Sequence, residues 1–213
     1  MNKCDKTIGW ADYTWNPITG CLGDCEYCYA RRIYKRFKMS FKPAIRYDRI
    51  SEPFYIRKPS RIFVCSVADF YGVGVEPLWQ AEVFNVMRGY PEHQFFILTK
   101  RPDRINTQGW LEIPYNCTIG VSITTEYEEW RLSALEVKGI SKFFVSAEPL
   151  LGNVAMLDGI LRAKWIIVGG LTPKPVHKEE WVDAIVERAM DKQVPIFLKD
   201  NLHYPIGIRS YPI

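Results

Sequence analysis

Short apolar runs alternate along this chain with stretches whose apolar residues recur every three or four positions. The runs fall at residues 61–66, 94–99, 116–122, 141–146, 164–169 and 194–199; 61–66 has a continuous apolar centre rather than apolar residues at every second position. That is the pattern of parallel strands covered on both faces. An earlier run, 14–19, predicts a short first strand inside an opening stretch, 7–20, that is rich in Trp and Tyr (Trp10, Tyr13, Trp15). Helices are predicted between the runs. After Cys28, the residues Ala30, Ile33, Tyr34 and Phe37 mark one buried stripe, with Arg31, Arg32, Lys35, Arg36 and Lys38 making a basic outer face. Val75, Trp79, Val83, Val86 and Met87 mark a second helix ending near Gly89, and a third is predicted over 103–110. Thr125 with Glu128 makes a capping-box pattern that opens a fourth, with Tyr127, Trp130, Ala134 and Val137 on one face. A fifth, 178–192, buries Trp181, Val182, Ile185, Val186 and Ala189; Glu179, Glu180 and Asp183 come early in it and Lys192 late, as the helix dipole favours. Residues 39–60, with Pro43, Pro53 and Pro59, read as a loop with one short turn.

Strands alternating with helices imply βαβ units, parallel pairing and right-handed crossovers. Six or seven such units predict an α/β fold, a partial (β/α)6–7 barrel of parallel strands with outer helices, since a full eight-fold barrel needs about 250 residues. A doubly wound open sheet is the alternative that periodicity leaves open. With no internal repeat, low-complexity tract or Gly/Ser linker, residues 1–213 are expected to form a single domain. In either fold the functional site lies at the carboxyl ends of the strands. Those ends carry Ser66 and Asp69; Thr99, Lys100 and Arg101; Ser122; Ser146 and Glu148; Gly169 and Gly170; and Lys199 with Asp200. For any one of them, solvation or a local cap is an equally good reading. Their expected sharing of one rim gives the set its weight.

Composition adds little beyond this. Of 213 residues, 47% are hydrophobic and 14% aromatic, which argues for a packed core and against disorder. The 28 Lys and Arg against 24 Asp and Glu leave a net charge of +4, which permits an anionic partner without requiring one. No apolar run follows the first residues, so no signal peptide is expected, and no window is long enough to cross a membrane. Cys4, Cys65 and Cys117 are scattered, and Cys65 and Cys117 sit in strand-like runs as small buried hydrophobes. A reducing, cytoplasmic location is expected.

The remaining three thiols carry chemistry. In Cys21-Leu-Gly-Asp-Cys25-Glu-Tyr-Cys28 they fall within eight residues. An odd number of thiols cannot be satisfied by mutual disulfides. Soft thiolates clustered on a short loop suit iron–sulfur or zinc. A closed zinc site wants four ligands, and no fourth Cys or His follows nearby; three thiolates would leave one metal of a cubane cluster open.

Cys21-x-x-x-Cys25-x-x-Cys28 on the loop after the first predicted strand, with Tyr27 just before the last thiol, resembles the motif of the radical S-adenosylmethionine (radical SAM) superfamily. The wider sequence is similar to a family of phage and prokaryotic proteins of unknown function. That similarity runs through Ile8-Gly-Trp-x-Asp12-x-Thr14-Trp-Asn-Pro17-x-Thr-Gly-Cys21, Cys25-x-x-Cys28-Tyr-Ala30, Arg61-Ile-Phe-Val, Leu98-Thr-Lys-Arg-Pro102, Gly120-Val-Ser122, Phe144-Val-Ser-Ala-Glu-Pro-Leu-Leu-Gly152 and Ile167-Val-Gly-Gly170. In that family the first cysteine gap is often longer than the three residues here. The resemblance implies that Cys21, Cys25 and Cys28 each bind one iron of a [4Fe–4S] cluster, and that the open iron takes the amino and carboxylate groups of S-adenosyl-L-methionine (SAM). An electron would then cleave the sulfonium to a 5′-deoxyadenosyl radical that abstracts hydrogen from a substrate. It implies, too, a reductant of flavodoxin or ferredoxin type. Tyr27 would lie by the adenine. The superfamily's Gly-Gly-Glu element is replaced here by Ser66-Val67-Ala68-Asp69, so Asp69 is the expected ammonium partner. Lys100, Arg101 or Lys199 would pair the SAM carboxylate, and Ser122 or Glu148 the ribose. No residue is assigned to catalysis on the substrate itself.

Two other readings use the same thiols. One is a zinc-stabilised nucleic-acid-binding protein that completes its site with Cys4, His93, His177 or His203. The other is an iron–sulfur protein that does not cleave SAM. The basic helix over 31–38 is either a solvated face or an anion-binding one, and in the second case DNA, RNA or a nucleotide is the expected partner.

Overall fold

The computed structural model describes residues 1–4 and 8–212; Thr7, at the start of the aromatic opening stretch, lies outside them. The chain divides into two compact units, Met1–Thr118 and Ile119–Ile213.

The first unit contains β1 (Asn2–Lys3), β2 (Tyr13–Trp15), β3 (Ile18–Thr19), α1 (Tyr29–Arg36), β4 (Ala44–Ile45), α2 (Tyr47–Ile50), β5 (Arg61–Val64), α3 (Pro77–Gly89) and β6 (Gln94–Thr99). Its main sheet runs β1-β2-β5-β6. β5 pairs in parallel with both β2 and β6, and β1 is an antiparallel edge. The unbroken apolar run of β6 is explained by burial on both faces, since Phe95, Phe96 and Ile97 are all buried. Trp15, fully buried, packs near Phe95, and Trp10 lies 4.9 Å from the ring of Phe63. Each such side chain contributes about 1.5–3 kcal/mol by leaving water. α3 seals the sheet through Val83, Phe84 and Met87, all buried.

Four expectations for this unit need correcting. The single strand at 14–19 is two. Asn16 and Pro17 break it: Asn16 Oδ1 accepts from Ser66 Oγ at 3.1 Å and from the Val67 N–H at 3.3 Å, so the backbone leaves the sheet there. Ile18 and Thr19 then pair antiparallel with Ile45 and Ala44 in a separate ribbon. Residues 39–60 accordingly hold β4, α2 and a 3-10 turn at Glu52–Tyr55 rather than one short turn. The helix over 103–110 is absent; 3-10 turns at Pro102–Arg104 and Gly109–Leu111 stand there. Asn106 competes for the backbone by accepting the Gln108 N–H at 3.0 Å, a local bond that a helix cannot accommodate. Finally, α1 does not bury the stripe its spacing suggests. Ala30 is buried, but Ile33 is 45% and Phe37 64% exposed.

β7 (Cys117–Ser122) begins at the end of the first unit and continues into the second. The second unit adds α4 (Trp130–Val137), β8 (Phe143–Ala147), β9 (Trp165–Val168), α5 (Glu179–Asp191) and β10 (Ile196–Leu198). Its strands run β7-β8-β9-β10, all neighbours parallel. Every residue of β8, β9 and β10 is buried, as continuous apolar runs require. α5 buries Val182, Ile185 and Ala189, with Trp181 and Val186 half-buried, as its spacing predicts. α4 is different. It buries Leu132 and Leu135, whereas Tyr127 and Val137 are 84% and 85% exposed. The capping box is displaced too: Glu128 accepts from the N–H of Thr124, not Thr125, so 126–128 forms a 3-10 turn and the helix begins at Trp130. That displacement rotates the inner face by a few positions and explains the mistaken stripe.

Parallel strands joined through helices in both units make the chain an α/β protein, as the run pattern predicts.

Candidate functional site

The thiol loop leaves β3 through Gly20, whose φ of +82° only glycine adopts easily and where a side chain would collide with the carbonyl oxygen of Lys42. Gly20 also bridges in parallel to Ala68, and its N–H donates to the Val67 carbonyl. These bonds fasten the start of the thiol loop to the loop that follows β5. The Cys21 N–H donates to Phe41 and the Cys28 N–H to Cys25, so the loop closes on itself before Cys28 caps α1. Two sulfurs accept backbone N–H bonds: Cys21 Sγ from Gly23 at 3.2 Å and Cys28 Sγ from Arg31 at 3.4 Å. Burial is the main reason the Cys21 thiol titrates above its ordinary range. The amide of Gly23 opposes this, the charge of Asp69 adds to it, the Asp69 amide opposes it again and Cys25 adds a little. All three thiols are free and half-buried.

Asp69 organises the neighbouring strand ends. Its Oδ1 accepts from Thr99 Oγ1 at 2.6 Å and from the Tyr71 N–H at 3.1 Å, and Oδ2 accepts from the Lys100 N–H at 2.9 Å. One carboxylate thus ties the loop after β5 to the end of β6. Lys100 Nζ stands 5.6 Å from the centre of the Tyr27 ring, between the second and third cysteines. The structure therefore brings Tyr27, Asp69 and Lys100 together with the thiol loop. Arg101 turns aside, forming a two-pronged pair with Asp103 at 3.0 and 2.8 Å. Tyr29, the first residue of α1, donates its hydroxyl to the Ser66 carbonyl.

In the second unit the strand-end charges pair with one another. Glu148, after β8, reaches over Gly169, at the end of β9, to Lys199, at the end of β10. A Cβ at 169 would come within 2.8 Å of the Glu148 carboxyl carbon, so glycine there leaves the space that the pair uses. After β7, Glu128 Oε2 accepts from the Thr124 N–H at 2.6 Å and pairs with Arg131 at 2.8 Å; Arg131 also donates to the Ser122 carbonyl at 2.6 Å. Asn201 clamps Gly170, its Nδ2 donating to the Gly170 carbonyl at 2.7 Å and its Oδ1 accepting the Gly170 N–H at 3.1 Å.

Cys4 and His93, two of the extra donors a zinc site would need, lie at the other end of the first unit's strands. Cys4 hydrogen-bonds the Asp12 and Ala11 carbonyls ahead of β2, and His93 precedes β6, fully buried. Among the described residues no three or more His, Cys, Asp or Glu side chains converge on a single-ion position. The donor set itself is three soft, half-buried thiols on one loop, two of them receiving amide N–H groups. It fits an iron–sulfur cluster, in which each thiolate takes a different iron and amide bonds to sulfur adjust the charge.

The model of a family described as "Protein of unknown function (DUF5131)" matches residues 5–206. The chain belongs to the DUF5131 family. Among curated proteins nothing matches its sequence. Solved structures do. A cysteine-to-serine mutant of spore photoproduct lyase superposes with a TM-score of 0.64 at 12% identity, covering 93% of this chain and 78% of that one. Spore photoproduct lyase complexed with dinucleoside spore photoproduct gives 0.58 at 12% identity, covering 91% and 79%. A double mutant of the same protein "with bound AdoMet and dinucleoside spore photoproduct" gives 0.57 at 16% identity, covering 88% and 62%. At these identities the likeness shows the fold. This DUF5131 chain has the partial barrel of the radical SAM type, which removes the doubly wound alternative.

Sequence reading missed Asn16, Asn201, Thr124 and Arg131 as organisers of the strand ends. Asn16 left a signal, as an Asn-Pro pair inside an apparent strand. Asn201 bonds the backbone of Gly170, 31 residues away, and no local pattern marks it; Thr124 and Arg131 bond Glu128, four and three residues away, beside the capping box read at Thr125.

Proposed function

We propose that this chain is a radical SAM enzyme whose cluster loop is Cys21-Leu-Gly-Asp-Cys25-Glu-Tyr-Cys28. The observation that carries the reading is the loop itself: three free thiols at the carboxyl-end side of β2 and β5, with amide donors on two sulfurs, in a fold of the radical SAM type. When bound, a [4Fe–4S] cluster with SAM at its open iron supplies reductive cleavage of SAM to a 5′-deoxyadenosyl radical that takes hydrogen from the substrate. Cys21, Cys25 and Cys28 would each hold one iron. The ring of Tyr27, beside Lys100, would border the adenine. Asp69 Oδ2, which carries a single amide donor, keeps room for the SAM ammonium. Lys100, whose Nζ stands beside the Tyr27 ring of the thiol loop, is the cation assigned to the SAM carboxylate. Glu148 and Lys199 hold each other and are assigned to the frame rather than to the cofactor.

For substrate we propose a nucleic acid or nucleotide. The net charge of +4 permits it, and two of the spore photoproduct lyase structures are described with dinucleoside spore photoproduct. The six cysteines, none of them in a disulfide, fit a reducing cytoplasm, and no helix among the described residues is long and apolar enough to cross a membrane. An electron-donor protein of flavodoxin or ferredoxin class completes the system, and residues 1–213 work as one domain.

The zinc reading loses Cys4 and His93 as donors, since both sit at the opposite end of the strands from the loop. The deciding experiment is anaerobic reconstitution with iron and sulfide, followed by dithionite and SAM. The expected result is a brown protein that forms 5′-deoxyadenosine. A colourless protein holding stoichiometric zinc would overturn the proposal, and a brown protein that leaves SAM intact would reduce it to an iron–sulfur protein.

A further inference from the structure

α1 starts one residue after Cys28, and its outer face is unusual for a helix of a folded protein. Tyr29, Ile33 and Phe37 recur every four residues and so line one stripe, exposed by 49%, 45% and 64%. Arg32, Lys35 and Arg36, all exposed, line the adjoining stripe, and α1 has no acidic residue. Ala30 alone is buried, with Arg31 and Tyr34 half-buried on the inner side. Leu22, inside the thiol loop, and Met39, just after the helix, are 53% and 52% exposed. The basic residues alone would suit nucleic acid. The aliphatic ones do not, because Leu22, Ile33 and Met39 have no ring to stack on a base. An apolar core of aliphatic, aromatic and Met side chains edged by arginine is the make-up of a protein–protein contact.

We propose that this face of α1 docks an acidic one-electron donor protein of the flavodoxin or ferredoxin class, next to the cluster ligand Cys28. The inference rests on the cluster reading above. One electron leaves the donor and one enters the cluster, and no bond is made or broken. A single short helix offers a small contact, at the low end of interface size where electron-transfer encounters lie. Positive charge beside the apolar stripe selects an acidic partner and speeds encounter at low salt. Placing that face immediately beyond Cys28 keeps the electron's path short.

The test has two readouts, and the binding one does not require a loaded cluster. First, binding of a fluorescently labelled acidic flavodoxin is followed by anisotropy at about 20 mM and about 300 mM salt. Wild type is expected to bind weakly and to lose about tenfold in affinity at the higher salt, where screening is severe. Arg32→Glu/Lys35→Glu/Arg36→Glu is expected to lose a similar factor at low salt. Ile33→Ser/Phe37→Ser, which alters only exposed side chains, separates docking from charge alone and is expected to weaken binding at both salt concentrations. Second, in reconstituted protein, reduction by dithionite should be unchanged in both variants while reduction by the flavodoxin slows about tenfold. If no cluster assembles, the function reading fails while the binding measurement still judges the surface. Unchanged flavodoxin binding in both variants overturns the docking proposal. So does loss of binding to a 15-nucleotide single strand with flavodoxin binding intact, which would assign the helix to nucleic acid.

Discussion

The carboxyl-end loops of the two units solve the same problem with different means. In the second unit the charged residues satisfy one another: Glu148 holds Lys199 across Gly169, and Glu128 holds Arg131 and the Thr124 amide. In the first unit the fastening is done by backbone amides and one carboxylate, Asp69, and the thiols are left with weak N–H···S bonds only. A sulfur held only by weak amide N–H bonds, two at Cys21 and one at Cys28, keeps bonding capacity for a metal, whereas a half-buried carboxylate locked to an ammonium has little. On the proposed reading, the difference separates a region that would receive a group from one fixed by its own ion pairs. Both were rich in charged strand-end residues when read as sequence, so charge at a strand end does not by itself mark a binding site.

The sharpest way to break this contrast is at the thiols. Cys25→Ala is expected to abolish iron and sulfide binding, to below a tenth of wild type, and to leave thermal unfolding almost unchanged because Cys25 is half-buried and does not cap the helix. Iron and sulfide analysis after anaerobic reconstitution, with circular dichroism melting alongside, checks both halves. A large loss of stability would mean that the loop is structural.

The opposite behaviour is expected in the second unit. Lys199→Met leaves Glu148 half-buried without its partner, and breaking such a pair should cost about 3 kcal/mol, with Glu148 too exposed to reach the upper end of the range. Urea unfolding should show that loss, and adding Glu148→Gln should restore much of it. Iron binding should be unaffected throughout. A single Lys199→Met variant with normal stability and impaired SAM binding would return Lys199 to the cofactor.

Asp69 lies between the two patterns, a charged residue used as a fastener inside the receiving region. Asp69→Asn keeps the shape but gives up one charged acceptor among three bonds, for an expected cost of about 1.5–2 kcal/mol. Iron content should persist. If iron falls as far as in Cys25→Ala, Asp69 holds the thiol loop itself in place.

Much of this was legible in the sequence for a physical reason. Runs such as 94–99 and 164–169 are apolar on both faces because parallel strands between helices have no wet side, and that signature is local. The three thiols were legible by spacing alone. Features that depend on partners distant in sequence were not. Nothing near Asp69 announces that its carboxylate is bound by Thr99 and the Lys100 amide, and nothing near Glu148 announces Lys199. α1 and α4 failed for a related reason. Apolar spacing says which residues share a stripe, but whether that stripe faces the core depends on where the helix begins and on what covers it. In α4 a cap displaced to Thr124 turned Leu132 and Leu135 inward, and in α1 the apolar stripe was left facing out.

The smallest effect is expected at the far end of the first unit's strands, where an ordinary ion pair serves as the control. Asp12 accepts from the Arg61 N–H at 2.8 Å and from its guanidinium at 3.1 and 3.4 Å, joining the approach to β2 with the start of β5. Burial pushes the Asp12 carboxyl up, but the bonds from the Arg61 side chain and backbone outweigh it and the group titrates below its usual range. A carboxyl that is more acidic in the folded chain stabilises it while ionised. That contribution is complete above the unfolded value, near pH 4, and is lost as pH falls through the lower folded value. With the side chains 28% and 39% exposed, solvent screening keeps it to about 1 kcal/mol or less. Asp12→Asn should therefore lower the urea midpoint slightly and uniformly above about pH 5, and the gap from wild type should close towards pH 3. Its iron content should match wild type at every pH tested. A loss of iron in Asp12→Asn would mean that the two ends of these strands are coupled, and the division between a fixed frame and a receiving loop would have to be withdrawn.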